Sequence, residues 1–206
     1  MRVRVKICGI TDLETARVAE EAGADAVGFV FAASRRQVTP ETVREIVGGL
    51  PPFVVPVGVF VDAPLEKVKE IAAYCGLGAV QLHGAEPPEY CAALKKAGLR
   101  VIKALRVKGP EDLSGLGAYP VHALLLDTFV PSVAGGTGKT FDWKLLKGKV
   151  FPVPFVLAGG LTPDNVAAAV KQVRPYGVDV SSGVETAGRK DPVKIRLFVQ
   201  RAKEVY

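Results

Sequence analysis

Two groups in this 206-residue sequence are placed to move protons, the thiol of Cys8 and the carboxyl of Asp127. Cys8 ends one short apolar run and Asp127 closes another, Ala123-Leu124-Leu125-Leu126. A thiolate serves as a general base, and a carboxyl kept protonated by burial or a neighbouring charge serves as a general acid. Plainer uses exist for both: packing for the thiol, and capping of the following loop for the carboxyl. Yet a carboxylate at the end of a buried run needs a partner or a task. Arg35, Arg36, Asp62, Gln81, His83, Arg106 and Asp179 fall at the ends of similar runs. Cys8, Cys75 and Cys91 form no CxxC pair and have no histidine at ligand spacing. A disulfide framework and structural zinc are therefore not expected. One acid and one base need no metal or other cofactor, and none is expected.

Two glycine-bearing turns point to a phosphate. Ala158-Gly159-Gly160-Leu161 and Ser181-Ser182-Gly183 each follow an apolar run late in the chain. Glycine lets backbone N–H groups come close to an anion, although the same residues also make tight turns. Gly138-Lys139-Thr140 resembles the end of a P-loop, but Val133 stands where the first glycine of that motif belongs. Residues 134–139 read instead as a flexible loop able to act as a lid.

Short β-branched runs at residues 3–7, 26–31, 54–60, 79–82, 101–105, 122–126, 154–157 and 178–180 supply the strands that carry these groups. Amphipathic stretches separate them. Thr11 or Asp12 caps the first, and Thr39-Pro40 opens the second. Asp62-Ala63-Pro64, Thr162-Pro163-Asp164 and Asp191-Pro192 are expected to do the same for later helices. Eight strands alternating with about eight helices, the strands apolar on both faces, predict one (β/α)8 barrel over residues 1–206. A doubly wound open sheet would carry a Gly-rich fingerprint after its first strand, where Cys8-Gly9-Ile10-Thr11 stands instead. Active sites of such barrels form at the C-terminal strand ends, with phosphate held after strands seven and eight. All the groups named above converge there.

The net charge of +6 favours anionic partners. Its basic residues are scattered and not interleaved with aromatics, so a cleft for a small anion is expected and nucleic acid is not. No apolar run reaches the roughly 18 residues of a membrane span, and residues 1–6 lack a signal-peptide core. Neither membrane nor export is expected, and the cytoplasm is the default. A single asparagine and 15 prolines match thermophile composition, as a GC-rich genome would also produce. A homodimer would add stability, and Pro51-Pro52-Phe53-Val54-Val55 is an apolar piece suited to an interface or to the core.

Longer motifs resemble one family. Lys6-Ile7-Cys8-Gly9-Ile10-Thr11, Gly23-Ala24-Asp25-Ala26-Val27-Gly28-Phe29-Val30-Phe31, Ser34-Arg35-Arg36 and Val80-Gln81-Leu82-His83-Gly84 are similar to phosphoribosylanthranilate isomerases. So are Leu126-Asp127-Thr128, Gly135-Gly136-Thr137-Gly138-Lys139-Thr140-Phe141-Asp142-Trp143 and Val178-Asp179-Val180-Ser181-Ser182-Gly183-Val184-Glu185. The resemblance runs from about residue 4 to 200 and implies an Amadori rearrangement in tryptophan biosynthesis. Asp127 would protonate the ring oxygen and Cys8 remove the C2 proton. Arg36 would hold the anthranilate carboxylate while Arg35 stays in solvent. The segment between Phe31 and Ser34 is a residue shorter than the family's aromatic-Pro form, which leaves Arg35 as the alternative. Asp179 would orient or tune the acid. His83 is either a substrate contact or a structural histidine. Gly159, Gly160, Ser182 and Gly183 would bind the phosphate.

Two other classes share parts of this pattern. Another phosphosugar barrel enzyme would share the phosphate turns. An indole-glycerol-phosphate synthase type needs a Lys–Glu set, and Lys103 lies inside a strand with no partner glutamate evident. A ribulose-phosphate epimerase type needs several metal-binding histidines, and only His83 and His122 occur. A non-enzymatic anion-binding or RNA-binding barrel would need no acid–base pair.

Overall fold

The computed structural model describes residues 3–127 and 143–205. Eight strands run in parallel: β1 (Arg4–Cys8), β2 (Ala26–Val30), β3 (Val55–Phe60), β4 (Ala79–Leu82), β5 (Val101–Arg106), β6 (Ala123–Asp127), β7 (Phe155–Ala158) and β8 (Gly177–Val180). They close in chain order, β1 pairing with both β2 and β8. Most strands sit within a residue of the expected runs and several are shifted toward the C-terminal end, which brings Cys8 and Asp127 into the sheet.

Six α-helices cover the described barrel: α1 (Leu13–Glu21), α2 (Pro40–Gly48), α3 (Leu65–Cys75), α4 (Pro88–Lys96), α5 (Val166–Val173) and α6 (Pro192–Lys203). About eight were expected. Between β5 and β6 the chain makes only short 3-10 turns at Pro110–Leu113 and Leu116–Ala118, because Gly109, Gly115, Gly117 and Pro120 interrupt any longer helix. The capping expectations divide. Asp12 caps α1, Thr39 caps α2 and Asp191 caps α6. Asp62 does not cap α3; it holds a positive φ and accepts from the Ala85 N–H. Asn165, not the Thr162-Pro163-Asp164 segment, ends at the cap of α5. Its amide ties the preceding turn, accepting from Thr162 N–H at 2.8 Å and donating to Gly160 O at 2.9 Å.

Apolar side chains between sheet and helices form the main core, from Ile7, Phe29 and Leu82 to Phe198. A smaller cluster of Ala104, Leu125 and Ala158 fills the barrel interior. The strands are not apolar on both faces throughout. Lys6, Gln81 and Asp179 are buried on inward positions, and Lys103 is buried between β5 and the helices. A short hairpin, β9 (Glu185–Thr186) with β10 (Arg189–Lys190), follows β8 and was not foreseen. The loop read as a lid, residues 134–139, and the P-loop-like Gly138-Lys139-Thr140 lie outside the described residues.

Candidate active site

Strand register decides which residues share the barrel mouth. Neighbours in a parallel pair face the same side, and side chains alternate along each strand. Lys6 is level with Asp179 on β8, and Cys8 is level with Gly28 on β2. Asp127 is level with Arg106 on β5 and Ala158 on β7. Cys8 and Asp127 therefore end two inward-facing rows at one end of the barrel. A thiol and a carboxyl thus stand at the same end of the barrel.

Cys8 is buried, at 7% exposure. Lys6, two residues earlier on the same face, donates to Asp179 Oδ1 at 2.8 Å. Burial leaves the Cys8 thiol above its ordinary range; Lys6 and Lys190 draw it back down, and the Asp179 carboxylate adds to the rise. Asp179 is thus bound to the neighbour of the thiol. The contact of Asp179 is with Lys6, beside Cys8, on the β1 side of the mouth.

Around Asp127 the contact is with His83, whose Nε2 lies 3.4 Å from Asp127 Oδ2. Gln81 Nε2 is 3.2 Å from the other ring nitrogen. The Gln81 amide and the Asp127 carboxyl thus hold the two ring nitrogens of His83 from opposite sides. Behind His83 the loop is braced by a buried pair. Lys103, 1% exposed, donates to Glu86 Oε2 at 2.7 Å and to Gly84 O at 2.6 Å. Glu86 also accepts from Asp62 N–H and Gly84 N–H. The reading that Lys103 lacks a glutamate partner is therefore wrong. Glu86 lies 17 residues away and in a loop, where no periodicity marks it. The pair points outward from the barrel interior to the helix layer and does not enter the mouth.

Arg36 lies across Gly9, where a Cβ would collide with its side chain. Its guanidinium grips Glu185 with two bonds, Nε to Oε1 at 2.6 Å and Nη2 to Oε2 at 2.9 Å. Lys190 donates to the same carboxylate at 2.9 Å. Burial alone would raise Glu185, but its bonds to Arg36 and Lys190 bring it down to about 2. This pairing contributes fully above the ordinary carboxylate range and is lost only as pH falls toward that value. Arg35 is 57% exposed, but it too reaches Glu185, so it is not simply in solvent. Glu185, Lys190 and Lys6 were passed over in the sequence. Lys6 did leave a signal, a cation on an inward position of an apolar strand, which requires a buried anion.

The two glycine turns meet at the same end. Gly159 and Gly160 both take positive φ, +89° and +67°. Ser182 and Gly183 open a 3-10 turn, Ser182–Val184, whose first N–H groups have no acceptor inside the turn. A Cβ on Gly183 would overlap the carbonyl oxygen of Leu161, so this glycine is what lets the two turns touch. Lys190 Nζ donates to Ser181 O at 2.9 Å, which puts a cation behind them. The two turns therefore sit against each other at the strand ends, where glycine lets backbone approach an anion closely.

Known proteins share this arrangement across the whole chain. The profile of a family described as N-(5'phosphoribosyl)anthranilate (PRA) isomerase matches residues 5–201. The N-(5'-phosphoribosyl)anthranilate isomerase of Desulforudis audaxviator is 57% identical over 202 residues, covering 97% of this chain and 98% of its own. Phosphoribosyl anthranilate isomerase from Thermotoga maritima superposes with a TM-score of 0.90 at 50% identity, covering 98% of this chain and 99% of that one. A phosphoribosyl anthranilate isomerase in complex with reduced 1-(o-carboxyphenylamino)-1-deoxyribulose 5-phosphate superposes at 0.85 with 45% identity and the same coverage.

Proposed function

This chain belongs to the N-(5'-phosphoribosyl)anthranilate isomerase family, and from that premise we propose how its own residues perform the reaction. It is a (β/α)8-barrel isomerase of tryptophan biosynthesis. Asp127 gives its proton to the ring oxygen of the phosphoribosyl group as the C1–O bond breaks, leaving an open-chain Schiff base. The Cys8 thiolate then takes the C2 proton; the C–H electrons form the C1–C2 double bond of an enolamine while the C1=N π electrons return to the protonated nitrogen. Loss of the enol proton and return of a proton to C1 give 1-(2-carboxyphenylamino)-1-deoxyribulose 5-phosphate. Acid and base end as they began. What supports this most is the register that sets a thiol and a carboxyl on inward rows of one mouth.

His83 would direct its N–H toward Asp127 and favour the carboxylate left after protonation of the substrate. Gly159, Gly160, Ser182 and Gly183 would hold the phosphate. Arg36 would bind the anthranilate carboxylate through donors that Glu185 leaves open, with Glu185 fixing its plane. Loss of anthranilate-type fluorescence on conversion reads turnover. Arg36→Ala removes a charge-assisted contact of about 1.5–3 kcal/mol, on the order of 10–100-fold in KM. Its kcat should change less, and Arg35→Ala should be far milder in both. An Arg35 variant more sensitive than the Arg36 variant would move the carboxylate contact one residue along the shortened loop.

Cytoplasmic residence is part of the proposal, because a charged phosphosugar does not cross a membrane unaided. Among the described residues no helix is long and apolar enough to cross one. Assembly is proposed at the other end of the barrel. There a cavity of about 500 Å³ is lined by Val57, Ala79, Ile102, Leu125 and Val156, with Phe53 93% exposed beside it. Val55 and Tyr176, also exposed, flank the same opening. A Thermotoga maritima relative, solved as engineered monomers, is described as dimeric in its parent form. Sedimentation at micromolar concentration should find a homodimer that Phe53→Glu converts to monomer; a monomeric wild type would remove the proposal.

A further inference from the structure

The reaction as proposed gives Lys6 no task, although its ammonium is buried on the inner wall of the barrel, 7% exposed, against a carboxylate 9% exposed. Apolar residues fill neighbouring inward positions, such as Val57, Leu125 and Val156. A buried ion pair contributes little net stability over an apolar pair of similar volume. Stability alone therefore does not explain why a cation stands at this level. Its surroundings do. A Cβ on Gly28 would lie 2.9 Å from Cys8 Sγ and 3.0 Å from Lys6 Nζ, so sulfur and nitrogen converge over the same glycine.

We propose that Lys6 is the positioning residue that brings the Cys8 thiolate within reach for the proton transfer, with Asp179 anchoring the ammonium from β8. The inference rests on the reading of Cys8 as the base. A thiol in apolar surroundings stays protonated near neutral pH, and a protonated thiol cannot take the C2 proton. The charged groups facing the sulfur are Lys6 on β1, Asp179 on β8, Lys190 on β10 and Arg36 on the loop after β2. Glu185 is bound to the last two. These cations work against burial and Asp179, which together keep the thiol raised, so loss of Lys6 makes the thiolate costlier still. Lys6 stays an ammonium throughout: the proton taken from C2 resides on sulfur until C1 recovers one.

Iodoacetamide alkylation of Cys8 in the full-length enzyme, resolved by peptide mass spectrometry across pH, reads this ionisation directly and independently of turnover. Lys6→Met should move the alkylation midpoint upward by about 1–3 units, and the acid limb of kcat should move with it. Lys6→Arg, which keeps the cation, should hold the midpoint near that of the wild type. Lys6→Met leaves Asp179 buried without its partner, so the double variant Lys6→Met/Asp179→Asn, with no lone buried charge, serves where the single variant does not fold. Its midpoint should also rise, because the nearer cation is lost with the anion. A folded Lys6→Met or double variant with an unchanged midpoint overturns the proposal. Full turnover in Cys8→Ala would instead overturn the reading of Cys8 as base, and the titration would still report whether Lys6 sets its charge.

Discussion

Cys8→Ala and Asp127→Asn should each lower kcat by about 10²–10⁴-fold or more, with KM within a few-fold of the wild type. Both residues end inward rows of the mouth, and neither belongs to the glycine turns or the Arg36–Glu185 pair that would bind the two ends of the substrate. Asparagine keeps the shape of Asp127 and a polar oxygen toward His83, so binding survives while the transferable proton is lost. Alanine at Cys8 removes the base and leaves a small void in a buried site. Stopped turnover with saturable binding of a product analogue is the expected signature. Near-normal kcat in either variant would remove that residue from the mechanism. A loss confined to KM would make it a binding residue. Substrate should also protect Cys8 from alkylation, because the reactive sulfur lies under the bound ring.

Periodicity made the barrel legible. Each strand pairs with its sequence neighbour, so a run of apolar residues followed by a capped amphipathic stretch already contains the topology. The site rows followed from the rule that strand ends face the mouth, and two of the residues so selected, His83 and Asp127, stand 3.4 Å apart. Pairings across the closure were not legible. Lys6 and Asp179 are 173 residues apart and meet only because β8 returns beside β1. Arg36 and Glu185 are 149 apart, and their meeting depends on a two-stranded hairpin whose Thr186-Ala187-Gly188-Arg189 turn reads as ordinary loop. Capping chemistry misled at Asp62, where the side chain is drawn away to the Ala85 amide of the neighbouring loop. Local rules rank local partners; a closed sheet supplies distant ones.

Gly183→Ala should raise KM for the phosphate-bearing substrate by at least about tenfold and lower thermal stability, whereas Gly160→Ala should do much less. The two backbones separate these glycines. At Gly183 the added methyl would overlap the carbonyl oxygen of Leu161, so the turn after β8 must move away from the turn after β7. Backbone cannot yield as the tip of a side chain can, and overpacking of this kind costs about 1–3 kcal/mol. Separation spreads the N–H donors that must converge on one dianion, and their geometry is what the site contributes. At Gly160 nothing lies within 4 Å of the new Cβ, and only the φ of +67° is unfavourable, about 1 kcal/mol for an alanine. Exposed Arg174 and Arg189 stand outside the turns, so replacing either by alanine should leave KM nearly unchanged. Phosphate competition against turnover in the two glycine variants makes the comparison. Equal weakening in both would assign the effect to lost glycine flexibility, and a sensitive Arg174 or Arg189 would move the phosphate from backbone donors to a side-chain cation.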